Sequence, residues 1–222
     1  MKLPFKEIEP EIFKKIIKSQ KVDHSVNMTY IDKNPIIRWL WWKRLKMMLD
    51  VSKIDSSKKV LDFGCGEGVF LPTLSNKYKE VHAVDLDIKI AKIIKDYYKL
   101  DNVKIFSDDI FKTNLKDNYY DIIFSASVLE HFEDVEFVIK TLKNKLKENG
   151  LLIFSSPTEN YIYKIGRIVT GYDKYQDPLD IHYFGSKEIA EKAKRHFKLV
   201  HRYDIPFNIK IFPLHSVYAF LK

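Results

Sequence analysis

From residue 58 onward, short apolar runs alternate along the chain with longer segments in which apolar residues recur every three or four positions. The short runs predict buried strands, at residues 60–63, 81–85, 103–106, 121–125 and 151–154. The segments between them predict helices, at residues 68–77, 88–98 and 134–150. Apolar strands that alternate with helices favour a mostly parallel sheet covered by helices on both faces.

Both ends of the chain and one internal segment depart from this alternation. Residues 1–57 predict helices, with Asn34 and Pro35 opening a helix that runs to about Asp50. Residues 157–185 form an aromatic-rich insert ahead of a helix at 186–197. The C-terminal runs predict an antiparallel strand hairpin, at residues 199–204 and 217–221.

Together these patterns predict an α/β fold with a doubly wound, mostly parallel, seven-stranded Rossmann-like sheet. We expect residues 58–222 to form this domain and residues 1–57 to form a helical cap. The insert at 157–185 is expected to complete that cap over the substrate.

The length of 222 residues fits one domain with a sizeable core. The single cysteine, Cys65, excludes an internal disulfide and a cysteine-based zinc site, and it agrees with a reducing cytoplasm. The apolar runs are all shorter than a transmembrane helix, and the first residues are too charged for a secretory signal. A cytoplasmic protein is therefore expected.

The net charge of +8 is distributed unevenly. Residues 1–59 and 161–222 are basic, whereas residues 60–160 are slightly acidic. Basic flanks attract an anionic small molecule, a nucleic acid or a lipid head group, although scattered lysines also serve solubility alone.

Three of the seven glycines lie within five positions, at Gly64, Gly66 and Gly68, directly after the first predicted strand. A phosphate-binding P-loop is excluded because the chain has no Gly-Lys pair. A dinucleotide site is disfavoured because its third glycine belongs where Val69 stands, and Glu67 would face the pyrophosphate.

The motif Asp62-Phe-Gly-Cys-Gly-Glu-Gly68 resembles the first motif of the class I S-adenosylmethionine-dependent methyltransferases. The resemblance is strongest to the small-molecule branch that includes the quinone-biosynthesis O-methyltransferases. It extends over residues 55–157, through Asp85, the segment 119–132 and the segment 147–152. It implies S-adenosylmethionine as cofactor and S-adenosylhomocysteine as product.

The resemblance also implies roles for individual residues. Asp62 would accept from the cofactor ammonium through water, Asp85 would accept both ribose hydroxyls, and Arg38 would bind the cofactor carboxylate. Leu86 would flank the adenine, while Asp109, with Asp108 as the alternative, and the backbone N–H of Ile110 would bind its polar edge. The complete set of expected cofactor-binding residues is Arg38, Asp62, Gly64, Cys65, Gly66, Asp85, Leu86, Asp109, Ile110 and Ser125.

Methyl transfer from a sulfonium needs alignment, and it needs a base only when the acceptor must lose a proton. The candidate bases are His131, which follows the fourth predicted strand, and His182 in the insert, with Asp180 near enough in sequence to orient it. An ordinary histidine bound to the backbone or exposed in a loop is the alternative at both positions. Trp41, Tyr161 and Tyr183 are the expected lining of the acceptor pocket.

No metal is predicted, because the similar quinone enzymes carry an additional acid where this chain has Ser127. The chain also lacks the Asn/Asp-Pro-Pro-aromatic box of methyltransferases for base or amide nitrogens. Its one cysteine lies in the glycine turn, so it is not placed as a nucleophile for methylation of a pyrimidine ring carbon.

The predicted function is therefore methyl transfer to a small molecule, anionic or aromatic, on oxygen first and on nitrogen or carbon as alternatives. A nucleic-acid or protein methyltransferase is the first rival, favoured by the basic flanks. The second rival is a non-catalytic cofactor-binding or membrane-associating module. An NAD-dependent oxidoreductase is less favoured than either of these rivals. The sequence predicts no oligomeric state.

Overall fold

The computed structural model describes residues 5, 7–19, 28–107, 115–161, 163–165, 181–209 and 213–222. Its centre is a seven-stranded sheet in the order β3-β2-β1-β4-β5-β7-β6. The strands are β1 (Lys59–Phe63), β2 (Glu80–Asp85), β3 (Val103–Ser107), β4 (Tyr120–Ala126), β5 (Leu146–Pro157), β6 (Lys198–Ile205) and β7 (His215–Leu221). The first five strands are parallel, and β7 runs antiparallel to both β5 and β6. The predicted doubly wound sheet and its antiparallel hairpin are confirmed.

Six helices whose residues are all described pack around the sheet. They are α1 (Pro10–Ser19), α2 (Pro35–Val51), α3 (Leu71–Lys77), α4 (Lys89–Tyr98), α5 (Val135–Lys145) and α6 (Ser186–Lys194). Short 3-10 turns occupy Met28–Ile31 and Leu129–His131. The α2 helix begins as its sequence predicts, because the Asn34 side chain caps the N–H of Ile36 and Pro35 fills the first turn.

The core has two halves, one on each face of the sheet. Buried residues of the N-terminal helices join α3, α4 and one face of the strands, as shown by Phe13, Trp42 and Met48 packing with Phe124. The other half lies between the sheet and helices α5 and α6. Buried residues of the N-terminal helices therefore share the hydrophobic core of the sheet domain.

Two predicted boundaries differ from the structure for local reasons. The helix after the glycine turn begins at Leu71 and not at Gly68, because Gly68 has a φ of 77°, outside the helical range. Leu146, expected at the end of a helical stripe, is instead the first residue of β5 and pairs with Tyr120.

The strand order places a topological switch point between β1 and β4. The chain leaves β1 toward β2 and β3, then returns to add β4 on the other side of β1. Ligands of open α/β sheets bind beyond the carboxyl ends of the strands at such a point. None of the described helices combines the length and the apolar character needed to span a membrane.

Candidate functional site

The glycine turn leaves β1 at the switch point with positive φ at all three glycines, 73° at Gly64, 50° at Gly66 and 77° at Gly68. A Cβ on Gly64 would lie 2.2 Å from a methyl carbon of Val128, and one on Gly68 would lie 2.9 Å from the Cα of Ala91. A Cβ on Gly66 would meet no atom within 4 Å. Two glycines are therefore required by packing, whereas the middle one borders open space that a ligand can approach.

Asp85, at the end of β2, ties this turn to its neighbouring strand. Its Oδ2 accepts from the N–H of Gly66 at 2.7 Å, and its Oδ1 accepts from the N–H of Asp87 at 3.2 Å. A carboxylate has about four lone-pair sites, so hydroxyl donors can still be added. Leu86 beside it is 77% exposed.

Asp62, near the end of β1, is buried, and its Oδ2 has no hydrogen-bond partner. Burial, with the charge of Asp85 as the second cause, raises the pKa of the Asp62 carboxyl to about 7. Cys65 is also buried, and burial raises the pKa of its thiol well above the usual value. Asp62 is thus a carboxylate whose charge a cationic ligand would stabilise, while Cys65 is not an activated nucleophile.

The guanidinium of Arg44 lies at the same edge of the sheet. It donates to the hydroxyl of Ser127, just past β4, and to the hydroxyl of Tyr30 at 2.6 Å. The arginine is only 2% exposed, its Nε has no hydrogen-bond partner, and no carboxylate of the described residues forms an ion pair with it. A buried cation without an anion is costly, so this arrangement favours an anionic ligand.

Two observations on the neighbours of Arg44 connect it with the glycine turn. Val128, next to Ser127, packs against Gly64, and the carboxylates of Asp62 and Glu67 act electrostatically on Tyr30. Burial, as the larger cause, raises the pKa of the Tyr30 hydroxyl, and Arg44 partly opposes that shift. The hydroxyl therefore stays protonated and can fix the guanidinium as an acceptor.

Arg38, expected from the sequence to bind the cofactor carboxylate, differs from Arg44 in burial and in its contacts. It is partly exposed at the start of α2, where its Nη1 donates to the backbone oxygen of Asp32 at 2.8 Å. The sequence reasoning missed Arg44 although a signal was present. Arg44 falls at helical spacing with Trp41, Leu45 and Met48. A charged residue on such an apolar face is unusual, because arginine is almost never fully buried unless it is paired.

A second group of polar side chains gathers after β4. Glu130, His131 and His182 each bring a ligand-type atom within 4.8 Å of the other two, and the two imidazole rings lie 4.9 Å apart. Glu130 is fully buried, and neither carboxylate oxygen has a hydrogen-bond partner within 3.5 Å. Burial, partly opposed by the nearby histidines, raises the pKa of the Glu130 carboxyl. The two candidate bases are therefore brought together, and the three atoms have a spacing that a cation can use.

Each of these histidines has a partner on Nδ1. His182 Nδ1 lies 2.7 Å from Oε1 of Glu159, and His131 Nδ1 lies 3.1 Å from the backbone oxygen of Ile181. Asp180, the orienting residue suggested by sequence, lies outside the described residues. Glu159 was missed because 23 residues separate it from His182 and no periodic pattern connects them.

The expected acceptor-pocket residues are distributed unevenly. Trp41 is half-buried with its ring 5.1 Å from that of His215, whereas Tyr161 is 86% exposed and Tyr183 is 45% exposed. His215, at the start of β7, is buried with neither ring nitrogen hydrogen-bonded. Burial and the charges of Arg44 and His182 hold its pKa well below the usual value, so the ring is neutral.

Buried polar atoms without a hydrogen-bond partner are concentrated at this edge of the sheet. Such atoms are rare in native proteins unless water or a ligand satisfies them. In the described part of the chain they include atoms of Arg44, Asp62, Ser125, Glu130, Ser155, Ser156 and His215. Ser125 was expected from the sequence, whereas Asp109 and Ile110 lie outside the described residues.

Known proteins resemble the chain over this same region. A protein-family model described as a methyltransferase domain matches residues 41–205. A malonyl-[acyl-carrier protein] O-methyltransferase of Bacillus anthracis is 31% identical over 104 residues, which cover 46% of this chain and 38% of that protein. A mitochondrial ubiquinone biosynthesis O-methyltransferase of Schizosaccharomyces pombe is 24% identical over 168 residues, covering 66% of this chain and 61% of that protein. The chain thus spans less than two thirds of the length of both curated relatives.

Solved structures agree on the fold. The N-methyltransferase NodS from Bradyrhizobium japonicum, solved with S-adenosyl-L-homocysteine, superposes with a TM-score of 0.67 at 18% identity, covering 95% of this chain and 97% of that one. A SAM-dependent methyltransferase from Aquifex aeolicus superposes with a TM-score of 0.65, covering 97% and 99%. With the family model matching most of its length, the chain belongs to the class I S-adenosylmethionine-dependent methyltransferases.

Proposed function

We propose that this chain transfers the methyl group of S-adenosylmethionine to an oxygen atom of a small-molecule acceptor. The observation that carries the proposal is the buried guanidinium of Arg44, which lies beside the glycine turn without a carboxylate partner among the described residues. S-adenosylmethionine combines a carboxylate, an ammonium, two ribose hydroxyls and an adenine, and it supplies the electrophilic methyl group. The edge of the sheet offers a matching group for most of these.

The proposed assignments follow the charges at the switch point. Arg44 would bind the cofactor carboxylate, since a guanidinium matches that group and its own Nε is unused in the described structure. Asp62, with its unpartnered Oδ2, would face the ammonium, and Asp85 would accept from the ribose hydroxyls. Gly66 would let the backbone approach the ligand, while Leu86 would cover one face of the adenine.

The similar proteins favour oxygen as the acceptor atom, and so do the polar side chains at the carboxyl edge of the sheet. Several similar proteins are named as O-methyltransferases of ubiquinone biosynthesis or of malonyl-[acyl-carrier protein], although a coclaurine N-methyltransferase of Papaver somniferum is also 27% identical over 144 residues. Trp41, His215, His131 and His182 would surround the acceptor, and an anionic or aromatic compound suits these rings. A cytoplasmic setting is proposed from the single cysteine.

Calorimetric titration tests the cofactor assignment. S-adenosylhomocysteine should bind the wild type, and NAD should not. Arg44→Met should weaken S-adenosylhomocysteine binding roughly 10- to 100-fold, because a charged hydrogen bond is worth about 1.5–3 kcal/mol. Arg38→Met is the matched control and should leave the affinity unchanged. Binding of NAD in preference to S-adenosylhomocysteine, or equal losses in the two arginine variants, would contradict the proposal.

A further inference from the structure

Glu159 and His182 form a close carboxylate–imidazole pair at the edge of the proposed acceptor site. Glu159 follows β5, and its Oε1 lies 2.7 Å from Nδ1 of His182. Both side chains are largely buried, with 22% and 15% of their surfaces exposed. Glu159 has a φ of 52°, a left-handed conformation that is uncommon for a residue other than glycine and that clusters at functional sites.

These contacts define which nitrogen of each ring carries the proton. A carboxylate accepts hydrogen bonds, so a neutral His182 in this contact has its proton on Nδ1 and its lone pair on Nε2. His131 follows the same logic, because the backbone oxygen of Ile181 accepts from its Nδ1. Both rings therefore have their lone pair on Nε2, and the Glu159 carboxylate lies behind His182, where it would stabilise an imidazolium.

We propose that Glu159 is a positioning residue that holds His182 as the general base for a hydroxyl acceptor. The inference rests on the proposed function and deepens it, since it names the class of acceptor. Nε2 of His182 takes the hydroxyl proton while the acceptor oxygen bonds to the methyl carbon. The carbon–sulfur bond breaks with its electron pair retained by sulfur, and the imidazolium then releases its proton to water. An acceptor that is already a carboxylate would need no such base, so an alcohol or a phenol is indicated.

The groups around His182 are consistent with this role. Glu130, His131 and His215 all lie near it. Glu130 is buried and has a raised pKa, so it adds less negative charge than an exposed glutamate would. His131 is exposed, which leaves its Nε2 less protected from water than that of His182.

Nitrogen-15 NMR of the imidazole side chains tests the pair in the intact protein without any acceptor. His182, assigned by its loss in His182→Gln, should show the Nδ1–H tautomer in the wild type. Glu159→Ala should move the population toward Nε2–H, while the control Glu148→Gln, at an exposed position, should not. A wild-type His182 that is mainly the Nε2–H tautomer would overturn the proposal.

Steady-state kinetics of methyl transfer test the proposed base. The hydroxyl probes are 3,4-dihydroxybenzoate and benzyl alcohol. Monomethyl malonate serves as the carboxylate probe and benzylamine as the amine probe. For a hydroxyl probe, His182→Gln should lower kcat about 100-fold or more, and Glu159→Gln about 10-fold, with KM nearly unchanged. Unchanged kcat in both variants, or transfer to the carboxylate or amine probe alone, would overturn the inference. Binding of S-adenosylhomocysteine should be unchanged in both variants, and its absence in the wild type would instead refute the proposed function.

Discussion

The guanidinium of Arg44 donates a hydrogen bond to the hydroxyl of Ser127, which joins helix α2 to the carboxyl end of β4 across 83 residues of sequence. Ser127 has a φ of 55°, and its N–H donates to the backbone oxygen of Ser155 on β5. The arginine thus lies where the chain leaves β4, next to β1 and its glycine turn. Its burial without a carboxylate partner among the described residues is costly, and the proposed binding of the cofactor carboxylate rests on this cost.

Arg44→Met should therefore weaken ligand binding without lowering the stability of the fold. Replacing an uncompensated buried cation by an apolar side chain of similar length removes a desolvation cost, so the free energy of unfolding should rise or stay within about 1 kcal/mol. Urea denaturation without ligand measures this change, and calorimetry measures the parallel loss of S-adenosylhomocysteine affinity. Leu45→Ala, a cavity-forming control on the same buried face, should instead lose about 2–5 kcal/mol. A large destabilisation by Arg44→Met would mean that the arginine is structural.

The pKa of Asp62, about 7 in the folded protein against 3.8 for an unperturbed carboxyl, predicts a pH dependence. Because the folded state holds this proton more tightly than the unfolded chain, stability from this group falls as pH rises from about 4 to about 7. Asp62→Asn should therefore gain stability relative to the wild type over that range, measured by urea denaturation at pH 5 and pH 8. A constant difference between the two proteins would contradict the shift.

Ligand binding should show the opposite trend with pH. The cofactor ammonium favours the ionised Asp62, so affinity for S-adenosylhomocysteine should increase as pH rises through about 7. Titration near pH 6.5 in buffers of different ionisation enthalpy should detect proton release on binding. Asp62→Asn should abolish both the release and the pH dependence.

The sheet could be predicted from sequence because its strands are solidly apolar and the helices between them have a clear period. The site was predicted less completely. Gly64, Gly66 and Asp85 carry their chemistry in a local motif, whereas Arg44 and the Glu159–His182 pair depend on contacts between distant segments. The family resemblance pointed to Arg38 for the cofactor carboxylate, whereas the burial of Arg44, six positions later on the same helix, is evident only from the structure.

Substitutions in the glycine turn can test separately whether a glycine is required by packing, at Gly64, and whether it leaves space for the ligand, at Gly66. Gly64→Ala should destabilise the fold by several kcal/mol, since its Cβ would lie 2.2 Å from Val128 in a backbone with a φ of 73°. Gly66→Ala should cost only about 1 kcal/mol, because its Cβ meets no atom within 4 Å. Its affinity for S-adenosylhomocysteine should nevertheless fall, since the new methyl group occupies space that we assign to the ligand. Thermal unfolding and calorimetry on both variants measure these effects. Unchanged binding of S-adenosylhomocysteine by Gly66→Ala would contradict the assignment of the ligand to this turn.

Removal of divalent metal should leave methyl transfer unchanged. The sequence predicts no metal, because Ser127 stands where the similar quinone enzymes carry an acid, yet Glu130, His131 and His182 have ligand atoms within 4.8 Å of one another. A general base on Nε2 of His182 and a metal on the same nitrogen exclude each other, since both use the one lone pair. Rates measured after dialysis against EDTA, and again after addition of Mg²⁺ or Zn²⁺, should therefore be equal, or lower with Zn²⁺ where it binds the imidazoles. Loss of activity on chelation and its recovery with Mg²⁺ would assign this cluster to a metal and His182 to its coordination.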